Sequence, residues 1–485
     1  MITRLSARYV LAHRNGRHVL LRDAHVVYEG DRITYVGTGD PGPVDELIDA
    51  GEALVMPGLI DLDALCDVDH LQLDSWASPG NATGLQWSED YFRNRRHDVF
   101  TAEERAAVRE YALIQLALHG VTTYMPIAAE THSGWAETCD DFVAVAEAGR
   151  RIGLRGYLGP SFRSGVNVVR ADGSRAVLFD EEQGERGLRQ AAAFLDWAEA
   201  QQDPLITGVL LPCRVETLTP DLLRAVAELS ARRDVRVRIH ALQGLAERQV
   251  IGELYGCTPL ELLDRSGLIG PRTLIPHGIY IDRRVLGADH GDLARLAAAG
   301  VSIVHCPLTS FRYGSALRSL PAYVEAGVNV ALGTDSFPPD LIRGMDTGVQ
   351  LAKLLEGRAD AAPAERYVEA ATLGGAKALG RADLGRIEAG AQADLVAFAL
   401  DDLRDGAVDD PVRTLLLSGT ARQLRHSVVA GRTVVRNGEL PGVDLAAVRR
   451  RGQELFGKLK AAYSERDHRR RTADELFPPT FPAVD

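Results

Sequence analysis

Lysine is nearly missing from this chain. Among 485 residues only Lys353, Lys377, Lys458 and Lys460 are lysine, and arginine carries the rest of the basic charge. No catalytic lysine is therefore possible in the first 352 residues. Cysteine is scarce too: five, widely spaced, with no Cys-x-x-Cys pair. That excludes a disulfide framework or a structural zinc knuckle. Basic charge is in deficit, and a formal net charge of −12 argues against nucleic-acid binding by bulk electrostatics. No run of about 20 apolar residues exists. Arg4, Arg8, Arg14 and Arg17 stud the first 30 residues without a clean apolar core after them. Neither a transmembrane helix nor a signal peptide is expected, and no membrane partner. What remains is ordinary globular composition, 46% apolar and 25% charged. The expectation is a soluble cytoplasmic enzyme.

The texture changes twice along the chain. His18–Leu21, Ala24–Glu29 and Arg32–Val36 are β-rich, with Gly30-Asp31 as a turn. After Pro57-Gly58, helical stretches (Ala102–His119, Gln190–Ala200, Leu222–Arg232) alternate with short apolar runs. These runs are Val121–Tyr124, Ile206–Leu211, Val235–Ile239, Thr273–Ile275, Val301–Val304 and Val328–Leu332. Buried strands alternating with helices predict a parallel sheet covered by helices, and the count favours an eight-fold (β/α)8 barrel of the α/β class. Beyond residue 385, Ala393–Ala399, Ser427–Val429 and Thr433–Val435 are strand-like again, and Asn437-Gly438 marks a turn. The expected organisation is a composite β-sandwich from residues 1–55 and 386–440 and a barrel over 56–385. A helix (Leu445–Tyr463) and an Arg- and Pro-rich tail complete 441–485. Arg449–Arg451 and Arg469–Arg471 read as solvated surface, and Pro478, Pro479 and Pro482 rule out a continued helix. The tail is expected to pack on a neighbouring subunit.

In a parallel barrel the chemistry sits at the C-terminal ends of the strands. Four apolar runs end in polar residues: Ile239-His240, Pro276-His277, Val304-His305 and Gly333-Thr334-Asp335. A lone histidine at a strand end is commonly a hydrogen-bonded structural residue. Four such positions in successive strands converge on one mouth. Neutral imidazoles with a carboxylate suit zinc or ferrous iron.

These strings resemble the amidohydrolase superfamily, in particular its triazine-chlorohydrolase and nucleobase-deaminase branch. The resemblance is carried by Val55–Asp61, Gly120-Val121-Thr122-Thr123, His240–Gln243 with Glu247, Pro276-His277-Gly278 and His305–Ser310. Ala326–Asp335, Ala371–Ala376 and Gly390–Val396 complete it. It implies a distorted (β/α)8 barrel with a sandwich built from both chain ends, and a homodimer. It also implies hydrolysis of C–N, C–Cl or related bonds. A divalent metal would lower the pKa of water, with the strand-eight aspartate, here Asp335, taking the proton.

Three departures stand out. Where the family has Pro-Gly-Leu-Ile-Asp-x-His-x-His, this chain reads Pro57-Gly58-Leu59-Ile60-Asp61-Leu62-Asp63-Ala64-Leu65. Leu65 cannot ligate; Asp63 can. The family's strand-five glutamate is Gln243, which cannot titrate and can only orient by hydrogen bonds. The usual Ser-Asn pair after strand seven is Thr309-Ser310. The lysine census also excludes a carbamylated lysine bridging two metals on strand four, Ile206–Pro212.

Three readings follow. In one, a single Zn or Fe ion is held by His240, His277, Asp335 and Asp63. Cys66, Asp67, Asp69 and His70 stand near enough to replace the lost ligands, though ordinary loop residues is the plainer reading. In the second no metal binds, and Asp335 and Asp63 are acid/base groups with His240 and His277 polarising the substrate. That suits a lyase, cyclase or isomerase. In the third the barrel is a non-catalytic binding subunit. The reading carried forward is an amidohydrolase-like hydrolase of a small nitrogen-rich molecule, by deamination or cyclic C–N hydrolysis, at an atypical mononuclear metal site. Its catalytic residues are Asp335, His277, His240, Asp63, Gln243 and His305. Trp76, Trp87, Tyr91 and Phe92 offer ring stacking, with core packing an equal account. Glu130, His132, Arg163, Arg312 and Tyr313 are further candidates for the mouth.

Overall fold

The computed structural model describes residues 1–68, 87–128, 134–287, 291–317, 320–418 and 420–482. Asp69, His70, Trp76, Glu130 and His132 lie outside the described residues.

Alternating burial runs through the start of the chain. Ile2–Arg14 and Arg17–Glu29 form one long antiparallel hairpin in which Arg14 pairs with Arg17. Between them Asn15 and Gly16 both have positive φ, 52° and 79°, as a two-residue Asn-Gly hairpin turn requires. The sequence reading begins its strands at His18; the hairpin begins at Ile2, because that turn sets the register for both arms. One eight-stranded sheet contains these strands. Its order is Arg432–Arg436, Leu424–Val429, Leu395–Ala399, Ala53–Pro57, Ile2–Arg14, Arg17–Glu29 and Arg32–Gly37, with Glu46–Asp49 also paired to Ile2–Arg14. Strands from both ends of the chain thus meet where Val55 pairs with Ala397. Leu5, Val10, Val26, Ile33, Val55, Leu395 and Val428 pack there as a core separate from the barrel's.

The middle of the chain supplies parallel strands with helices between them. Thr101 caps the helix Ala102–Leu118 through a capping box with Glu104, and Thr219 caps Pro220–Arg233, which carries proline in its first turn. The strands form two parallel four-stranded sheets. One holds Leu59–Ala64, Val121–Pro126, Arg155–Leu158 and Ile206–Gly208; the other holds Val237–Arg238, Thr273–Pro276, Ser302–His305 and Asn329–Leu332. The expected eight strands are present, but the ladder is not continuous at its two seams. At one seam two isolated parallel bridges, Leu210 to Val237 and Arg214 to His240, take the place of a ladder. At the other, the first and eighth strands meet through Asp335 N–H to Asp63 O at 2.7 Å and Thr334 N–H to Asp61 Oδ1 at 3.1 Å. Glycine is required here: a Cβ on Gly333 would fall 2.5 Å from the Asp63 Cβ. Ile60, Leu62, Met125, Tyr157, Val209, Leu211, Leu274, Val304 and Ala331 fill the interior together with Ala376, Ala378, Leu379 and Leu384.

Leu445–Ala461 and Tyr463–Arg466 pack on this chain's own barrel: Leu455, Leu459 and Tyr463 share a core with Val68, Trp87, Tyr91, Val108 and Val166. Buried Arg466 lies over the Trp87 ring, 4.9 Å from its centroid. Amphipathic burial places this face of the helix against its own chain. No helix among the described residues is long and apolar enough to cross a membrane.

Candidate metal centre

Barrel strands deliver the site residues because each short strand ends at the same mouth. Asp63 is fully buried on the first strand, where the pairing with Val121–Pro126 shifts register between Asp61 and Ala64. His240 follows Val237–Arg238, and His277 follows Thr273–Pro276; both are buried. Ligand atoms of Asp63, His240 and His277 all lie within 4.8 Å of one another. Asp63 Oδ2 is 3.4 Å from His240 Nε2, and the two imidazole rings sit 5.4 Å apart, centre to centre. Cys306 Sγ is 3.5 Å from the same Asp63 oxygen.

Backbone conformation at this mouth is unusual. His277 has φ 68°, Asp335 has φ 52° and Leu242 has φ 58°. Left-handed non-glycine residues cost about 1–3 kcal/mol each, and surrounding structure must hold them in place. Here three occur after the fifth, sixth and eighth barrel strands, around the same mouth.

Electrostatics sort the histidines. The Nδ1 of His240 lies 3.0 Å from the Cys213 carbonyl oxygen. A carbonyl only accepts, so that nitrogen carries a proton, and the ring turns Nε2 toward Asp63 Oδ2. Burial, then the neighbouring His240, lower the His277 pKa to about 3. Its imidazole is neutral at pH 7, and its buried Nε2 has no hydrogen-bond partner. Burial pushes the Asp63 carboxyl up, but His240 and the guanidinium of Arg238 outweigh it, so Asp63 is held below the usual carboxylate range. Arg238 Nη1 sits 2.9 Å from Asp63 Oδ1. Burial raises Asp61 to about 7 despite its bonds from Thr334 and Asp63.

Donor chemistry fits one cation. Tetrahedral zinc with bonds of 2.0–2.1 Å places its ligand atoms about 3.3 Å apart. The Asp63–His240 separation of 3.4 Å is of that order. The orphaned Nε2 of His277 completes a set of two imidazoles and one carboxylate. Asp335 stands beside this set rather than within it: Oδ2 is 3.7 Å from His277 Nε2. The sequence reading makes Asp335 a ligand; the structure places it at the edge, where its strained backbone is tied to Asp63.

Other expected residues divide. His305 is buried, its pKa lowered to about 3 by burial, with its ring 6.2 Å from that of Tyr367. It is not a member of the donor cluster found among the described residues. Gln243 accepts a hydrogen bond from Arg214 Nη1 through Oε1, and its own N–H donates to Glu247 at 3.0 Å. Burial and Glu216 raise buried Glu247 to about 8. Thr309 donates to the Thr334 carbonyl at 3.1 Å, tying the seventh strand's loop to the eighth. Trp87, Tyr91 and Phe92 belong to the core under the tail, not to the mouth. Arg163 donates to the Gly134 carbonyl and Arg312 to that of Phe337. Of Cys66 and Asp67, neither joins the donor set; the Cys66 carbonyl accepts from buried Arg109. Arg238 and Arg214 are missed by sequence reasoning. The available signal was two arginines, Arg236 and Arg238, inside the run Val235–Ile239, whose other residues are apolar.

The family model described as "Amidohydrolase family" matches residues 54–434. A 5-methylthioadenosine/S-adenosylhomocysteine deaminase from Halobacterium salinarum is 32% identical over 91% of this chain and 95% of its own. An 8-oxoguanine deaminase from Pseudomonas aeruginosa is 29% identical over 87% of this chain and 92% of its own. Among solved structures, an adenosine deaminase from Xanthomonas campestris with bound zinc is similar at 22% identity. Its TM-score is 0.75, with coverage of 94% of this chain and 98% of that one. Atrazine chlorohydrolase from Arthrobacter aurescens complexed with zinc gives a TM-score of 0.75 at 21% identity, over 94% and 100% of the two chains. The chain belongs to the amidohydrolase family, hydrolases of carbon–nitrogen bonds other than peptide bonds.

Proposed function

We propose that this protein is a hydrolytic deaminase of a small amino-substituted nitrogen heterocycle of the purine class. The observation that carries the reading is the buried cluster Asp63–His240–His277 with Asp335 at its edge. Support comes also from the deaminase relatives that match almost the whole chain.

Asp63, His240 and His277 would hold one zinc or iron ion. Such an ion supplies Lewis acidity, bringing the pKa of nearby water to about 7. Asp335 is the base: a carboxylate at the mouth accepts a proton from the attacking water and returns one to the leaving ammonia. His277, neutral beside it, cannot compete for that proton at neutral pH. Gln243 neither gives nor takes a proton. With Oε1 occupied by Arg214, its NH2 group is the donor left to orient the ring. Replacement of the family's glutamate thus moves all proton traffic onto Asp335.

The experiment is an ammonia-release assay on protein loaded with zinc or ferrous iron, against aminopurines, their nucleosides, aminopyrimidines and amino-triazines. Ammonia from the purine class supports the reading. Ammonia from none of the four classes overturns it.

A further inference from the structure

The barrel interior holds a charge that the mechanism above does not use. Arg238 is 1% exposed and stands two residues before His240. Its Nη1 lies 2.9 Å from Asp63 Oδ1 and donates to the Met125 carbonyl at 3.3 Å, while its Nε has no hydrogen-bond partner. A guanidinium stays charged at every pH a folded protein meets. A permanent positive charge is therefore fixed beside the donor cluster, against Oδ1 of Asp63. The other oxygen faces His240 and Cys306.

Charge balance gives this arrangement meaning. The two strand-one histidines of the family pattern would be neutral donors. Here Leu65 contributes nothing, Asp63 brings −1 and Arg238 brings +1, so the sum is again zero. The geometry points to Arg238 as a built-in counter-charge to Asp63, a carboxylate that would also serve the site's cation. This inference rests on the proposed cation site. Two opposite effects follow. Arg238 keeps a buried carboxylate from standing unpaired, which protects the fold. It also repels the cation across a few ångströms of low-dielectric interior, which weakens binding.

Co(II) titration, read by its visible absorption and by competition with a chelator, tests this beside melting of the metal-free protein. In Arg238→Met the melting temperature of the metal-free protein falls by about 3–5 °C, as expected for breaking a buried pair in a chain of this size. Its Co(II) affinity rises about tenfold or more. Arg238→Lys keeps the charge and restores both toward wild type. The double variant Arg238→Met/Asp63→Asn regains the lost stability, because no carboxylate is left unpaired. Either shift missing from Arg238→Met overturns the role of Arg238. If Arg238→Met does not fold, a folded double variant still supports the role, and an unfolded one overturns it. Wild-type protein that takes up no Co(II) overturns the cation site itself, whatever the variants do.

Discussion

The backbone N–H of Asp335 donates to the carbonyl oxygen of Asp63 at 2.7 Å. This one bond places the first and last strands of the barrel in register at the mouth and joins the base of the proposed mechanism to a ligand of its cation. Asp61 reinforces it, accepting the Thr334 hydroxyl at 2.6 Å. Ligand and base cannot drift independently, so their separation is a property of the backbone.

Asp335→Asn separates proton transfer from assembly. The amide keeps the size of the side chain, and the Asp335 main-chain bond is unaffected. Turnover should fall by about 10²–10⁴-fold, measured by ammonia release. Co(II) affinity should stay near wild type. Retained turnover would remove Asp335 from the chemistry.

His240→Ala and His277→Ala each remove one donor of the cluster. Co(II) affinity should drop at least about 100-fold, more than loss of a supporting group costs. His305→Gln, outside the cluster, should change it by less than about threefold. Equal losses in all three would mean that the donor set is drawn too narrowly.

Stability of the metal-free protein should peak near neutral pH. Burial lowers His277 and His305 to about 3, and His18 and His426 to about 4. Groups depressed in the fold from an unfolded value near 6.5 add stability above that value and lose it as pH falls. Asp61 and Glu247, raised to about 7 and about 8, act with the opposite sign: their contribution is present at low pH and fades as pH rises through those values. Four histidines against two acids leave net loss on acidification below about 6.5, with a steepest slope of roughly 3 kcal/mol per pH unit. Above about 7 the two acids cause a shallower decline. Denaturant midpoints from pH 4.5 to 8.5 check both limbs, and a flat profile would contradict the buried neutral imidazoles.

Gly333→Ala tests the seam. Its new Cβ would lie 2.5 Å from Asp63 Cβ and 3.1 Å from Cys306 Sγ. Overpacking of this kind costs about 1–3 kcal/mol. Because the clash falls on a ligand, Co(II) binding should weaken along with the melting temperature. Loss of stability alone would show that strand one gives way without moving Asp63.

Arg466→Met tests the tail. It removes a buried guanidinium stacked on Trp87 and Tyr91 while keeping apolar bulk. A loss of about 2 kcal/mol in chemical denaturation is expected, with unchanged Co(II) affinity, because the tail's core lies apart from the donor cluster.

The mouth was legible because its histidines sit directly after apolar runs, where a strand hands its last side chain to the barrel top. Asp63 was legible as a departure from a pattern. Arg238 was not, because its partner stands on the first strand and an ion pair across a barrel leaves no local trace beyond a charge in an apolar run. The Asn15-Gly16 turn carried a signal strong enough to extend the first hairpin to Ile2, and the arginines before it masked the apolar alternation. Burial of the tail depends on Arg466 meeting Trp87, a contact between distant segments. The distorted eight-fold barrel was legible because strand count follows from pattern, whereas pairing at the seams follows from bulges and side-chain substitutes for the ladder.

The sheet shared by the chain's two ends imposes an order on synthesis. Val55 finds its partner Ala397 only after the whole barrel has been made. At about 5–20 residues per second, the edge of Ala53–Pro57 waits tens of seconds on the ribosome for its neighbour. Through that interval an entirely apolar strand, Ala-Leu-Val-Met-Pro, presents unpaired main-chain groups. The last β segments to emerge therefore act as an internal chaperone for the first, and nascent chains halted before residue 395 are the species most exposed to aggregation.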